Sequence, residues 1–294
     1  MINKETKGIL SEIQEWILAE EAAGRSVDMN RVNERLRVLT NQQNTVPRSE
    51  FNELSSEQMH YIIYNPFGEK CAVDINTLSQ ERYEKIPLVR QTLFLLNKIN
   101  ESELKLTKLG WLPLKVVAEA YSLGQPEYII EELGQKRINE YEAKSVEMAR
   151  AILEILGWTK IRKGMLSLTL KGKKALSNID DVANKILRIS LTAGILHTFD
   201  GYEDDRIGNF GIAYSAWLLD KFGSTWQTGD FYQSHYQKVF DFPDKYNAYA
   251  TRVFKRLFYW LGIVEYRINR NTLPPFREEY RKTELFPMIF SIKQ

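Results

Sequence analysis

Histidine, cysteine and clustered carboxylates are the side chains that most readily do chemistry, and the sequence gathers few of them in one place. The densest group is "HTFDGYEDDR", which carries His197, Asp200, Glu203, Asp204 and Asp205. An imidazole beside carboxylates is the raw material of general acid–base catalysis, but catalysis needs the groups to converge on one cavity with shifted pKa values. This segment joins two apolar helical stretches and reads as a polar connection. Its acids miss the alternate positions of an EF-hand calcium loop. His60 stands beside Met59 and Tyr61, and His235 lies near Tyr232 and Tyr236, so aromatic packing is the simpler role for both. A single cysteine, Cys71, allows neither an intrachain disulfide nor a cysteine-based zinc site. No glycine-rich phosphate loop, G-x-S-x-G elbow or H-E-x-x-H helix occurs. The expectation is a non-enzymatic binding protein with no catalytic residue, metal or cofactor.

Charge points to a different kind of chemistry. The chain of 294 residues has a net charge of only +2, yet residues 233–282 hold ten Lys or Arg against five Asp or Glu. At about 100° per residue, Lys245, Arg252 and Arg256 fall on one side of a helix, with Lys255 on its flank. Arg267 and Arg270 follow on a strand. Cations arrayed on one face neutralise phosphates and give salt-dependent binding. These six residues form the expected nucleic-acid contact, with DNA or RNA as the ligand. The alternative is a protein-binding adaptor or a self-associating scaffold, in which Glu140, Glu142, Glu147 and Glu154 form an acidic face for a basic partner.

The elements that must position these residues are mainly helical. Residues 4–23 carry Ile9, Ile13, Trp16 and Ile17 at helical spacing. "GRSVDMN" interrupts, Asp28 can cap a second helix, and "NQQNTVPRSE" reads as a polar linker. Ser55 or Ser56 can open a helix that Pro66 ends. "SELKLT" alternates as a strand, and "WTKIRKGMLSLT" reads as a hairpin with its turn at Lys163-Gly164. Leu104–Thr107 and Leu166–Thr169 share an L-x-L-T-x-x-G pattern, with Gly110 and Gly172 completing it. In both copies the threonine is expected to cap the next helix, and the glycine to let helix and hairpin approach closely. A fainter third copy runs from about Asp244, with Thr283 in the threonine position and "GSTWQTGDFYQSHYQKVF" as its middle helix. The aromatic residues that cluster late in the chain fall at helical spacing and are assigned to the core.

At "LTKLGWLP", Leu106 to Pro113, the sequence resembles a group of uncharacterised bacterial proteins, some plasmid-borne, that carry an LTxxGxLP module after a leucine-rich helix. "LSSEQMHYIIYNPF" and "TFDGYED" are also similar to segments of that group. The resemblance implies a tandem winged-helix-like array and no reaction. The expected fold is therefore mainly α with small β-hairpins, winged-helix-like modules standing behind an N-terminal helical hairpin. The boundaries are hairpin and linker 1–50, module one 51–122, module two 123–179, and a helical segment plus module three 180–294. The amino terminus lacks the apolar run of a signal peptide and no stretch reaches 18 apolar residues, so a cytoplasmic location without membrane contact is expected.

Overall fold

The computed structural model describes residues 4–271 and 277–293, so part of the expected wing of module three, 272–276, lies outside the described residues. The chain divides into two compact units, 1–61 and 62–294. The first division thus falls after residue 61 rather than after residue 50.

In the first unit, α1 (Lys4–Ala22) and α2 (Met29–Asn44) form the expected pair, and Asp28 caps α2 by accepting from the Arg31 N–H at 2.9 Å. Helix α2 runs on through residues 41–44, where a linker was expected, because no helix breaker stands before Pro47. Glu20 accepts from Arg25 and Arg31, and these two guanidinium groups pull its carboxyl down to about 2. Strand β1 (Pro47–Arg48) pairs with β2 (Leu54–Ser55). Ser55 and Gln58 then exchange side chain-to-backbone hydrogen bonds at 3.2 and 2.8 Å, a capping box that opens α3 (Ser56–Tyr64).

The second unit runs β3 (Val73–Ile75), α4 (Gln80–Tyr83), α5 (Pro87–Glu101), β4 (Leu104–Lys105), α6 (Leu114–Tyr121), α7 (Tyr128–Glu132) and α8 (Lys144–Ile155). The hairpin β5 (Thr159–Arg162) and β6 (Met165–Leu168) follows, then α9 (Leu170–Ala175), α10 (Ile179–Thr192) and α11 (Ile212–Phe222). Next come β7 (Gln227–Thr228), α12 (Gly229–Val239), the π-helical segment Ala250–Phe258, β8 (Val264–Asn269) and β9 (Arg277–Lys282). The chain closes on α13 (Leu285–Ile289) and β10 (Phe290–Ile292), which pairs antiparallel with β3.

The sheet register overturns the expected repeat. Strands β4, β5 and β6 form one sheet in the order β4-β6-β5, with Leu104 opposite Leu166. The two L-x-L-T stretches are therefore neighbours in a single sheet, and the boundary drawn at residue 122 cuts through it. They look alike because directly opposed residues point to the same face, so both strands must present leucines to the same core. Thr107 does not cap a helix either. It accepts from the Trp111 N–H at 3.0 Å within a turn, and α6 begins only at Leu114. Gly110 takes φ +83° in that turn.

The expected alignment of Thr283 with Thr169 does have a counterpart in the sheets. Strands β7, β8 and β9 form a second sheet in the order β7-β9-β8, the same order as the first. Each sheet is built from a helix, a short strand, helices and a hairpin. The equivalences reach single atoms. Gly157 and Gly262 end the helices before the two hairpins at φ +68° and +74°. Trp158 N–H returns to Leu153 O, and Ile263 N–H to Phe258 O, each at 3.0 Å. This is the six-to-one bond of a glycine helix stop. Thr169 donates its hydroxyl to Gly157 O at 2.8 Å, and Thr283 donates to Gly262 O at 2.7 Å. Thr169 also caps α9 as expected. A Cβ on Gly172 would lie 2.2 Å from Trp158 O, so the close approach expected at this glycine is real. The late aromatics do form core: Tyr236 stacks on Tyr249 at 4.0 Å and Tyr232 on Phe254 at 4.2 Å. Among the described residues no helix is long and apolar enough to cross a membrane.

Candidate nucleic-acid interface

The six cations chosen from sequence do not form one open face. Arg252 is the clearest correction. Its side chain is 0% exposed, and all five of its N–H groups are engaged inside the molecule. They reach both oxygens of Asp200 (3.0 and 2.8 Å) and the carbonyls of Tyr202, Asp204 and Ile207. A guanidinium with no donor left offers nothing to a phosphate. Arg256 reaches the same carboxylate at 2.8 Å. The "HTFDGYEDDR" loop is thus an acceptor collar for buried arginine. His197 in this loop meets the Asn209 amide through Nδ1 at 2.9 Å.

The remaining second-half cations are mostly answered at home. Lys255 pairs with Glu278 at 2.5 Å and lies over the Tyr128 and Tyr266 rings. Arg267 pairs with Glu279 and Arg281 with Glu265, and both guanidiniums cover Trp226. Lys282 pairs with Asp220. The periodicity that placed cations on one helical face carried no information about strands β8 and β9, whose Glu265, Glu278 and Glu279 meet them. Only Lys245 and Arg270 of the six are exposed without an ion pair among the described residues.

The acids expected to form a face for a basic partner are mostly engaged within the chain, with Glu154 alone of the four exposed. Glu140 is 1% exposed, accepts from the Leu112 N–H at 2.6 Å and pairs with Arg150 at 3.0 Å. Burial pushes its carboxyl upward despite the arginine. Arg150 also donates to Gly110 O and pairs with Glu154, while Glu147 pairs with Lys144. Glu142 accepts from the Asn139 N–H. The Gly110-to-Leu112 part of the LTxxGxLP motif is therefore held by the Glu140–Arg150 pair. Helix α8 buries Ser145, Val146, Met148, Ala149, Ile152 and Leu153, and the π-helical segment buries all but Thr251, Lys255 and Arg256. Neither helix presents a free face to a groove.

The open cations lie where the sequence reading did not look. Residues 155–179 contain Lys160, Arg162, Lys163, Lys171, Lys173 and Lys174 and no Asp or Glu. All six are exposed, as are Lys105 and Lys108, and none has an ion pair among the described residues. The register puts Arg162, Met165 and Lys105 on one rung of the first sheet, with Lys160 on the next rung of the same face. At about 4.8 Å between strands, Arg162 and Lys105 stand about 10 Å apart along that rung. The Lys163-Gly164 turn, with φ +51° and +74°, projects from the sheet between them. The signal is legible in the sequence as a run of 25 residues free of carboxylates.

No family model, curated protein or solved structure matches the chain.

Proposed function

We propose that the protein binds nucleic acid through its phosphate backbone, using the first hairpin and α9 as the contact surface. The two halves, residues 87–169 and 212–283, are read as winged-helix-like folds in which the third helix has been turned inward and the wing of the first has been left outside. The observation that carries the reading is the group of eight exposed cations around β4, β5, β6 and α9, without an ion pair among the described residues and without a carboxylate in the hairpin or α9. A wing alone reaches phosphates and not base edges, so binding is largely independent of sequence. The protein acts as a binding module and not as an enzyme, and it works in the cytoplasm.

Fluorescence anisotropy with labelled duplexes of about 20 base pairs tests this, titrated between about 50 and 200 mM salt. Binding should be similar across unrelated sequences. Replacing Lys160, Arg162 and Lys163 with alanine should lower the slope of log affinity against log salt by about 2 to 3. No binding at low salt, or an unchanged slope, would remove the reading.

A further inference from the structure

A cleft of about 450 Å3 lies in the second unit where α7 and the start of α8 face the π-helical segment. It is separate from the cationic hairpin. One side is an aromatic wall: Tyr266 sits edge-on to Tyr128 at 6.5 Å and to Tyr259 at 6.0 Å. Tyr141 and Tyr202 also line the space. This volume and apolar lining suit a small organic molecule.

The polar groups left over in the cleft say what kind. Arg256 lines it and is 18% exposed, and among the described residues only one of its N–H groups is bonded, to Asp200. Asp200 already serves Arg252, so one carboxylate is shared between two guanidiniums and most of the Arg256 donors are left without a hydrogen bond. The unfilled side of Arg256 is a planar fork of donors that matches a carboxylate. Glu127, which also lines the cleft, accepts from the N–H groups of Lys144 and Ser145, and the charge of Arg256 acts on its carboxyl as well. A second group is also unfilled. The Gln135 side-chain oxygen is buried without a hydrogen-bond partner. A buried acceptor without a donor is unfavourable, and a guest O–H or N–H would relieve it once the half-buried Gln135 side chain turns that oxygen into the cleft.

We propose that this cleft binds a planar aromatic carboxylate that also carries a hydroxyl or ring N–H donor. The ring packs on Tyr128, Tyr259 and Tyr266, the carboxylate meets the free fork of Arg256, and the donor reaches Gln135. Three fluorescent probes separate these contributions: hydroxynaphthoate, naphthoate and naphthol, each titrated into the full chain. Hydroxynaphthoate should bind most tightly. Arg256→Gln should weaken both carboxylates about tenfold and leave naphthol unchanged, which corresponds to about 1.4 kcal/mol. Gln135→Leu should erase the advantage of hydroxynaphthoate over naphthoate. Should Arg256→Gln lose its cooperative melt, Arg256→Lys keeps the charge beside Asp200 without the fork, and the same selective loss is expected. Naphthol binding as well as naphthoate, carboxylate affinity indifferent to Arg256, or no saturable binding by any probe would overturn the proposal.

Discussion

The two sheets of the second unit share a strand order and the same threonine–glycine latch, yet they treat charge in opposite ways. In the second half Arg267, Arg281 and Lys282 each meet a carboxylate on the same sheet or on the helix beside it: Glu279, Glu265 and Asp220. In the first half the hairpin and α9 contain no carboxylate at all. An exposed pair such as Arg281–Glu265 is worth little energetically, roughly 0–1 kcal/mol, but together these pairs cancel the field. The first hairpin keeps its field. Pairing decides: most cations of 233–282 are answered by nearby carboxylates, whereas 155–179, with six cations and no carboxylate, is left open.

The comparison breaks most severely at Asp200. Replacing it with alanine leaves Arg252 buried without a counter-ion, and removing one partner of a buried pair costs about 3–5 kcal/mol. Thermal denaturation of Asp200→Ala should show a large fall in Tm. The Lys160, Arg162 and Lys163 alanine variant should melt like the parent, within about 0.5 kcal/mol, because those side chains hold nothing in place.

A middle-sized effect is expected at Gly172. The added methyl of Gly172→Ala meets the Trp158 carbonyl at 2.2 Å. Backbone cannot swing aside as a side chain can, so a loss of about 1–3 kcal/mol in chemical denaturation is expected. Gly110→Ala meets no atom within 4 Å and is strained only by its φ of +83°, which sets a smaller loss of about 1 kcal/mol.

The smallest effect is in pH. His235 lies 4.9 Å from Phe222 and 4.6 Å from Phe231, ring centre to ring centre. Burial, then the charges of Lys238 and Lys221, hold its pKa below the usual 6.5. The unfolded chain then binds the proton more readily, so His235 costs no stability well above pH 6.5 and destabilises the fold as pH falls through that value. Comparing the pH dependence of Tm for the parent and His235→Gln should show a shallower acid slope in the variant.

Much of the secondary structure was legible in the sequence because its signals are local. Asp28, the Lys163-Gly164 turn, Gly157 and Thr169 each act through neighbours a few residues away, and each behaves as its residue type dictates. Strand pairing was not legible. Leu104–Thr107 and Leu166–Thr169 share a pattern because they share a core, and adjacency in one sheet imposes the same alternation as repetition would. The equivalence of Thr169 with Thr283 was legible as a faint third copy, but the hydroxyl bonds to Gly157 O and Gly262 O that realise it are not announced by any spacing rule. The candidate site failed for a related reason. A helical wheel places Arg252 beside Lys245 and Arg256, but it cannot report that the loop around Asp200 wraps the guanidinium.

The central claim is that the first hairpin carries the open cationic surface and the second does not. The direct test measures duplex binding against salt for two alanine variants side by side: Lys160, Arg162 and Lys163 in the first half, and Lys245 and Arg270 in the second. The account predicts that the first variant loses affinity and flattens the salt slope by about 2 to 3, while the second tracks the parent. A flattened slope confined to the Lys245 and Arg270 variant would contradict it.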